Sequence, residues 1–186
     1  MKKWKRVSSK VVAKNPHWEY VRDKFRLPSG AEGEYHYMRM RTSVSVVVVR
    51  EDGKVLLHVQ HRYLFGRDSL EFVAGDAHRG EPSVVAARRE LAEEAGIAVK
   101  RLKKAGRFAQ STGSIQQYTD VYVGSCMHVV QAAPDETEEF KLVWMTPKQI
   151  NAAIASGKLF DGFCIAVWVI AKPHVQKLID QMKKKR

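Results

Sequence analysis

The segment from Gly75 to Ile97 constrains the fold of this chain more than any other. Pro82 near its first turn, Gly96 just after its last turn and apolar residues at helical spacing between them predict a helix over 82–95. Those apolar residues are Val84, Ala87, Leu91 and Ala95. The pattern therefore predicts an amphipathic helix that packs one face against a core.

Three carboxylates share one side of the last turns of this helix. Glu90, Glu93 and Glu94 stand at i, i+3 and i+4, beside the apolar stripe. Because like charges repel and a helix carries partial negative charge at this end, a cation is expected to offset them. Arg88 and Arg89 offer one answer, since glutamates on helices usually form a solvated face. Clustered carboxylates are also the ligands of Mg²⁺ or Mn²⁺, which takes further ligands from substrate phosphate.

Strands surround this helix in the sequence. A β-branched run at 44–49, a turn at Glu51-Asp52-Gly53 and a second run at 55–59 predict a hairpin. We further predict strands at 119–123 and 141–145 and helices at 147–156 and 161–182, with the last helix bent or split at Pro173. The order of these elements predicts an α/β fold in which helices cover a mixed sheet.

The positive charge of the chain lies at its two ends. The 186 residues include 32 Lys+Arg and 20 Asp+Glu, which gives a formal net charge of +12. Residues 1–26 carry 9 basic and 2 acidic side chains and residues 171–186 carry 6 and 1, so residues 27–170 balance at 17 and 17. This distribution does not favour nucleic acid as a partner, since basic ends are as often solvated charge.

Cysteine use and hydropathy predict a cytoplasmic protein. Two cysteines, Cys126 and Cys164, cannot build a disulfide framework, and a reducing compartment is the default. The basic N-terminus is followed by no apolar run of the kind found in signal peptides. The longest apolar stretch, residues 163–171, is far shorter than the ~20 residues that a membrane span needs. We therefore expect no membrane association.

The segment from Gly75 to Ile97 resembles the Nudix signature, Gly-x5-Glu-x7-Arg-Glu-U-x-Glu-Glu-x-Gly-U, in which U is apolar. The matching residues are Gly75, Glu81, Arg89, Glu90, Leu91, Glu93, Glu94, Gly96 and Ile97. The resemblance implies the Nudix fold, an α/β/α sandwich around a mixed β-sheet. It also implies an enzyme that hydrolyses a nucleoside diphosphate linked to another group, X, with a divalent metal.

The resemblance assigns roles to residues of this segment. It implies that Glu90 and Glu94 are the principal ligands of Mg²⁺, with Mn²⁺ as the alternative, and that Glu93 assists through metal or water. The backbone carbonyl of Ala74 matches a further ligand position. Glu81 and Arg89 are expected to brace the loop against the helix.

The flanking residues resemble those of ADP-ribose pyrophosphatases and related nucleoside-diphosphate-sugar hydrolases. The matches before the signature are Gln60, Arg62, Glu71, Ala74 and Gly75. This likeness implies that Arg62 contacts the diphosphate and that Glu71 belongs to the substrate site. It further implies a general base in the acidic segment 134–146, where Glu136 holds the matching place and Glu138 is the neighbouring alternative.

The likeness also implies a division of the chain. Residues 1–41 are expected to form an N-terminal strand subdomain that is exchanged across a homodimer, and residues 42–186 the hydrolase domain. Trp18 matches an aromatic residue that stacks on the nucleotide base, although a tryptophan beside a strand is often part of a core or a dimer interface.

One departure leaves the substrate open. ADP-ribose enzymes usually carry a Ser-Pro-Gly-x-x-Ser-Glu segment after the signature, whereas residues 111–117 here lack the proline and have glutamine at the acidic position. The first expectation is ADP-ribose or an ADP-sugar, hydrolysed to a nucleoside monophosphate and a phosphorylated sugar. The alternatives are GDP-mannose or another NDP-sugar, and a non-catalytic Nudix domain that binds nucleotide or RNA.

Overall fold

A computed structural model describes residues 2–129 and 141–184. The strands are β1 (Lys5–Lys14), β2 (Trp18–Arg26), β3 (Glu32–Met40), β4 (Ser43–Val49), β5 (Val55–Arg62), β6 (Arg67–Glu71), β7 (Val73–Asp76), β8 (Ile97–Phe108), β9 (Ile115–Gln116), β10 (Thr119–Val129) and β11 (Lys141–Met145). The helices are α1 (Ser83–Ala95), α2 (Pro147–Ala155) and α3 (Gly162–Lys183). The described residues fall into two compact units, one formed by residues 2–42 and 109–118 and the other by the rest.

The first unit is a four-stranded sheet in the order β1-β2-β3-β9. Strands β1 to β3 form an antiparallel meander, and the turn between β2 and β3 uses Gly30 at φ 91°, which glycine adopts without strain. The short β9 adds a parallel edge through the pairing of Met38 with Ile115. Residues 109–118 therefore belong with strands that lie far from them in sequence.

The second unit is built on a seven-stranded mixed sheet. Its main order is β11-β5-β4-β10-β8, with β6 paired to β5 and β7 paired to β4. The pairing of β10 with β4 is parallel and the others are antiparallel. Strand β4 lies in the middle and is buried over its whole length, which accounts for its continuous run of valines.

Side chains of β4 divide between two cores because successive residues of a strand point to opposite faces. Val44, Val46 and Val48 pack in a cluster with Ala87 and Leu91 of α1. The opposite face, represented by Val47 and Val49, packs with Val167, Trp168 and Ala171 of α3 and Ile150 of α2. Helices thus cover both faces of the mixed sheet, and the predicted α/β/α sandwich is confirmed.

Helix α3 continues through Pro173, so the expected split at this residue was wrong. Proline lacks the N–H that would bond to the carbonyl of Val169. Val169 is 67% exposed, so water can reach the turn that carries this carbonyl. No helix of the described residues is both long enough and apolar enough to cross a membrane.

Candidate active site

The three carboxylates of α1 lie at different depths in the second unit. Glu94 is buried and the Glu90 side chain is 12% exposed, whereas that of Glu93 is 44% exposed. All three precede Gly96, which ends the helix in the left-handed conformation at φ 58°. The backbone of α1 adds partial negative charge at this end. The arrangement therefore concentrates negative charge beside the sheet.

Glu90 lies directly against the backbone of β7. A Cβ atom built on Gly75 would overlap the carboxyl group of Glu90, so only glycine leaves room for this side chain. Ala74 precedes Gly75 in the same strand. The predicted ligand Glu90 thus lies against the residue that follows Ala74.

Arg89 links the carboxylates on the helix. Its Nη1 donates to Glu90 Oε1 at 2.7 Å and to Glu93 Oε2 at 2.9 Å. One guanidinium therefore serves two carboxylates that would otherwise repel each other.

The same guanidinium joins the helix to the preceding loop. Arg89 donates through Nε and Nη2 to Glu81 at 3.2 and 3.1 Å, and through Nη2 to the carbonyl of Asp76 at 3.0 Å. Glu81 also accepts the backbone N–H of His78 at 2.8 Å. The hydrogen bond to Glu81 raises the pKa of Arg89, while burial opposes the change. These contacts are those of a brace between loop and helix.

His58 lies beside Glu94 in the buried part of the site. Its Nδ1 is 3.5 Å from Glu94 Oε2, and both side chains are almost fully buried. Burial lowers the pKa of His58 to about 4, an effect that Arg62 strengthens and Glu71 opposes. The imidazole is neutral at pH 7 and supplies no counter-charge to Glu94. Because β5 and α1 are distant in the chain, no local sequence pattern marks the contact of His58 with Glu94.

The charges at this site fit a hard divalent cation. Glu81, Glu90 and Glu93 place three carboxylates on the single guanidinium of Arg89, and Glu94 follows on the same helix. Carboxylate and carbonyl oxygens are the ligands that Mg²⁺ and Mn²⁺ prefer. The crowding of Glu90 against a glycine backbone also suits a site where a carboxylate and a carbonyl share one ion.

Arg62 and Glu71 form an ion pair at the end of the β5–β6 hairpin. Arg62 Nε donates to Glu71 Oε1 at 2.6 Å, and Nη2 donates to the other carboxylate oxygen. Glu71 is buried, whereas the Arg62 side chain is 47% exposed. Burial would raise the pKa of Glu71, but the hydrogen bond and charge of Arg62 outweigh it and hold this pKa below its usual value. Glu71 is thus an ionised anchor for a half-exposed arginine.

The remaining residues predicted for the site are Trp18, Glu136 and Glu138. Trp18 begins β2 in the first unit, is partly buried and donates its backbone N–H to Asn15 Oδ1 at 2.9 Å. Glu136 and Glu138 lie outside the described residues.

Comparison with known families gives a match over most of the chain. The family model of the NUDIX domain matches residues 39–163.

Two relatives and one solved structure are similar to this chain over most of its length. An ADP-ribose pyrophosphatase of Bacillus subtilis (strain 168) is 28% identical over 144 residues, 76% of this chain and 77% of the relative. An ADP-ribose pyrophosphatase of Mycobacterium tuberculosis (strain ATCC 25618 / H37Rv) is 23% identical over 163 residues, 86% of this chain and 79% of that protein. The crystal structure of an ADP compounds hydrolase superposes with a TM-score of 0.82 at 17% identity, over 96% of this chain and 97% of that one.

Proposed function

The chain belongs to the Nudix family of hydrolases, which act on pyrophosphate bonds, and from this premise we propose that it cleaves ADP-ribose or an ADP-sugar. The products are a nucleoside monophosphate and a phosphorylated sugar. The observation that carries the proposal is the position of Glu90, which lies against the Gly75 backbone and shares the guanidinium of Arg89 with Glu93. The names of the B. subtilis and M. tuberculosis relatives support the choice of ADP-ribose as substrate.

We assign the metal to carboxylates in the last turns of α1 and to one backbone carbonyl of β7. Glu90, Glu94 and the carbonyl of Ala74 would hold Mg²⁺ or Mn²⁺, with Glu93 as a further ligand or through water. When bound, the metal neutralises phosphate charge and lowers the pKa of a coordinated water.

The protein side chains then position the reactants. Arg89 donates to Glu90 and Glu93 and restricts their rotamers, so these ligands are in place before the substrate enters. Arg62 donates hydrogen bonds to the diphosphate, for which the fork of a guanidinium is well suited. Glu136, or its neighbour Glu138, accepts a proton from the attacking water as general base.

The first unit contributes to the substrate site and to assembly in this proposal. Trp18 stacks on the nucleotide base, and the unit pairs with a second copy in a homodimer. All ten residues of β1 are exposed and the strand is the edge of its sheet, so its backbone is available for another chain. Sedimentation equilibrium at micromolar concentration tests the homodimer, and a monomer at all concentrations would exclude it.

A second substrate class has its own support. Residues 111–117 lack the proline and the acidic residue usual in ADP-ribose enzymes, so the surroundings of X differ. GDP-mannose or another NDP-sugar therefore remains the alternative, and the basic ends of the chain leave nucleotide or RNA binding without catalysis as a third hypothesis.

A substrate panel separates these hypotheses. ADP-ribose, ADP-glucose, GDP-mannose, UDP-glucose, NADH and diadenosine polyphosphates are incubated with Mg²⁺, and products are identified by mass. We expect ADP-ribose or an ADP-sugar to be turned over fastest, and Glu94→Gln to reduce its turnover at least about a hundredfold. Glu34→Gln, which neutralises an exposed glutamate of the first unit, is the matched control. No turnover together with salt-dependent RNA binding would favour the non-catalytic hypothesis.

A further inference from the structure

The connection between α2 and α3 packs on the β5–β6 turn, which follows Arg62. The Phe160 ring meets the Phe65 ring edge to face at 5.6 Å between centroids, and the guanidinium of Arg67 lies 4.1 Å from the centroid of Phe160. Arg67 Nη2 also donates to the carbonyl of Gly157 at 3.4 Å. The segment that leads into α3 is therefore attached to the turn next to the diphosphate-binding arginine.

Asp161 stands at the end of this connection and begins α3. Its side chain caps the helix by accepting the backbone N–H of Phe163 at 3.1 Å. Its carboxylate also approaches Glu71 and Cys164, since one ligand atom of each of these three residues lies within 4.8 Å of the others. Glu71 and Cys164 are buried, so two carboxylates face each other at the edge of the core.

Two carboxylates at this separation repel each other in a medium of low dielectric unless a cation lies between them. Arg62 supplies a cation to this pair through its two hydrogen bonds to Glu71. The hydrogen bond from Arg62 to Glu71 raises the pKa of the guanidinium, burial opposes this, and the charges of Glu71 and Asp161 add to it. Both oxygens of Glu71 already accept hydrogen bonds from Arg62, which argues against a metal ion bound by this acidic pair.

Glu71 leaves part of the guanidinium available. It accepts hydrogen bonds from Nε and Nη2, so the two N–H groups of Nη1 are not used by this pair. The two-point pair with buried Glu71 fixes one edge of the guanidinium, and a second negative charge nearby would restrict its orientation further. The negative charge of Asp161 is placed to provide that restriction.

We propose that Asp161 is a positioning residue that, together with Glu71, orients the guanidinium of Arg62 toward the diphosphate. The inference rests on the proposed function, in which Arg62 contacts the diphosphate. Asp161 then has two tasks, since it begins α3 and also holds the arginine. The N-terminus of a helix that packs on one face of the sheet would in this way set the affinity for the diphosphate.

The two tasks separate because asparagine caps a helix about as well as aspartate but carries no charge. Asp161→Asn therefore keeps the cap and removes the charge, whereas Asp161→Ala removes both. We expect Asp161→Asn to leave the melting temperature close to that of the wild type and Asp161→Ala to lower it. Asp180→Asn removes an exposed charge from the same helix and serves as the control.

A double-mutant cycle tests whether Asp161 acts through Arg62. The dissociation constant of α,β-methylene-ADP, a diphosphate that cannot be cleaved at its bridge, is measured by calorimetry with Mg²⁺. The four proteins are the wild type, Asp161→Asn, Arg62→Ala and the double variant. We expect Asp161→Asn to weaken binding about tenfold, the lower range for residues that support a ligand-binding side chain. The same substitution should have less than a roughly twofold effect in the Arg62→Ala background.

The outcomes are distinct. Unchanged binding by Asp161→Asn, or an equal loss in both backgrounds, would overturn the proposal. Failure of Arg62→Ala to weaken binding, or no binding by the wild type, would overturn it as well, because Arg62 would not be a diphosphate ligand. If the wild type binds the probe but hydrolyses nothing in the substrate panel, the proposed function fails while the cycle still decides the role of Asp161.

Discussion

The carboxyl group of Glu90 occupies the space that a side chain would need at Gly75. We expect Gly75→Ala to displace Glu90 and to reduce kcat/KM by about two orders of magnitude, since a shift of about 1 Å in a catalytic group is enough for such a loss. Steady-state kinetics with the best substrate of the panel measure the effect. Gly162→Ala is the control, because a Cβ there meets no heavy atom within 4 Å. Equal activity of both variants would contradict the assignment of Glu90.

Arg89 should be irreplaceable even by lysine. Its fork reaches Glu81, Glu90, Glu93 and a backbone carbonyl, and a single ammonium cannot span these acceptors. We expect Arg89→Lys to lower both kcat/KM, at least about tenfold, and the affinity for Mn²⁺. Calorimetric titration with Mn²⁺ gives the second quantity.

Arg88 provides the comparison for this substitution. It donates to the backbone carbonyls of Val99 and Lys100 and not to the glutamates. Arg88→Lys should therefore lower the melting temperature without changing Mn²⁺ affinity. If both arginine variants lost Mn²⁺ affinity equally, the effect would reflect general loosening of α1.

Local sequence signals predict one part of the fold and site, and contacts between elements far apart in the chain form the other part. Helix α1 was predicted to within one residue, because its apolar spacing, Pro82 and Gly96 are local signals. The signature glutamates follow from the same segment. The positions of His58 beside Glu94 and of Asp161 beside Glu71 depend on packing between elements far apart in the chain, and no local pattern marks them. The pairing of β9 with β3 was missed for the same reason.

We expect the substitution Glu94→Gln to stabilise the metal-free protein and to weaken the binding of Mg²⁺. Glu94 is buried at the negative end of the helix that also carries Glu90 and Glu93, so its charge opposes the helix dipole. We expect Glu94→Gln to raise the free energy of unfolding in EDTA by about 1 kcal/mol. We also expect Mg²⁺ to stabilise the wild type more than the variant. Urea unfolding with and without Mg²⁺ measures both, and equal stabilisation by Mg²⁺ would remove Glu94 from the ligands.

The buried ion pairs of Asp120 should make the free energy of unfolding depend on pH. Its fully buried carboxylate lies 2.6 Å from Lys104 Nζ and 2.6 Å from Arg107 Nε. Burial would raise its pKa, but the hydrogen bonds from Arg107 and Lys104 outweigh this and hold the pKa well below the usual value. The ionised form is therefore favoured in the folded state, and its contribution is complete above the unfolded pKa of about 4. That contribution declines as the pH falls through the lower, folded pKa.

Asp120→Asn should accordingly cost about 3 kcal/mol at pH 7 and progressively less as the pH falls below 4. Urea unfolding between pH 2.5 and 7 gives the difference from wild type. The control is Asp52→Asn, since Asp52 pairs with Arg50 at the surface and such pairs contribute little. A difference for Asp120→Asn that stays constant down to pH 2.5 would exclude the ion pairs as its source.

Trp18 should govern affinity for the nucleotide and not the chemical step. If it stacks on the base, Trp18→Ala raises KM about tenfold with a small change in kcat, whereas Trp18→Phe retains a flat ring and most of the affinity. Trp4→Ala is the control, because Trp4 stacks on Phe25 at 4.6 Å within the first unit. Loss of kcat together with a lower melting temperature in Trp18→Ala would instead place this residue in a core or a dimer interface. The melting temperature distinguishes the two, since stacking on a bound nucleotide adds nothing to the stability of the free protein.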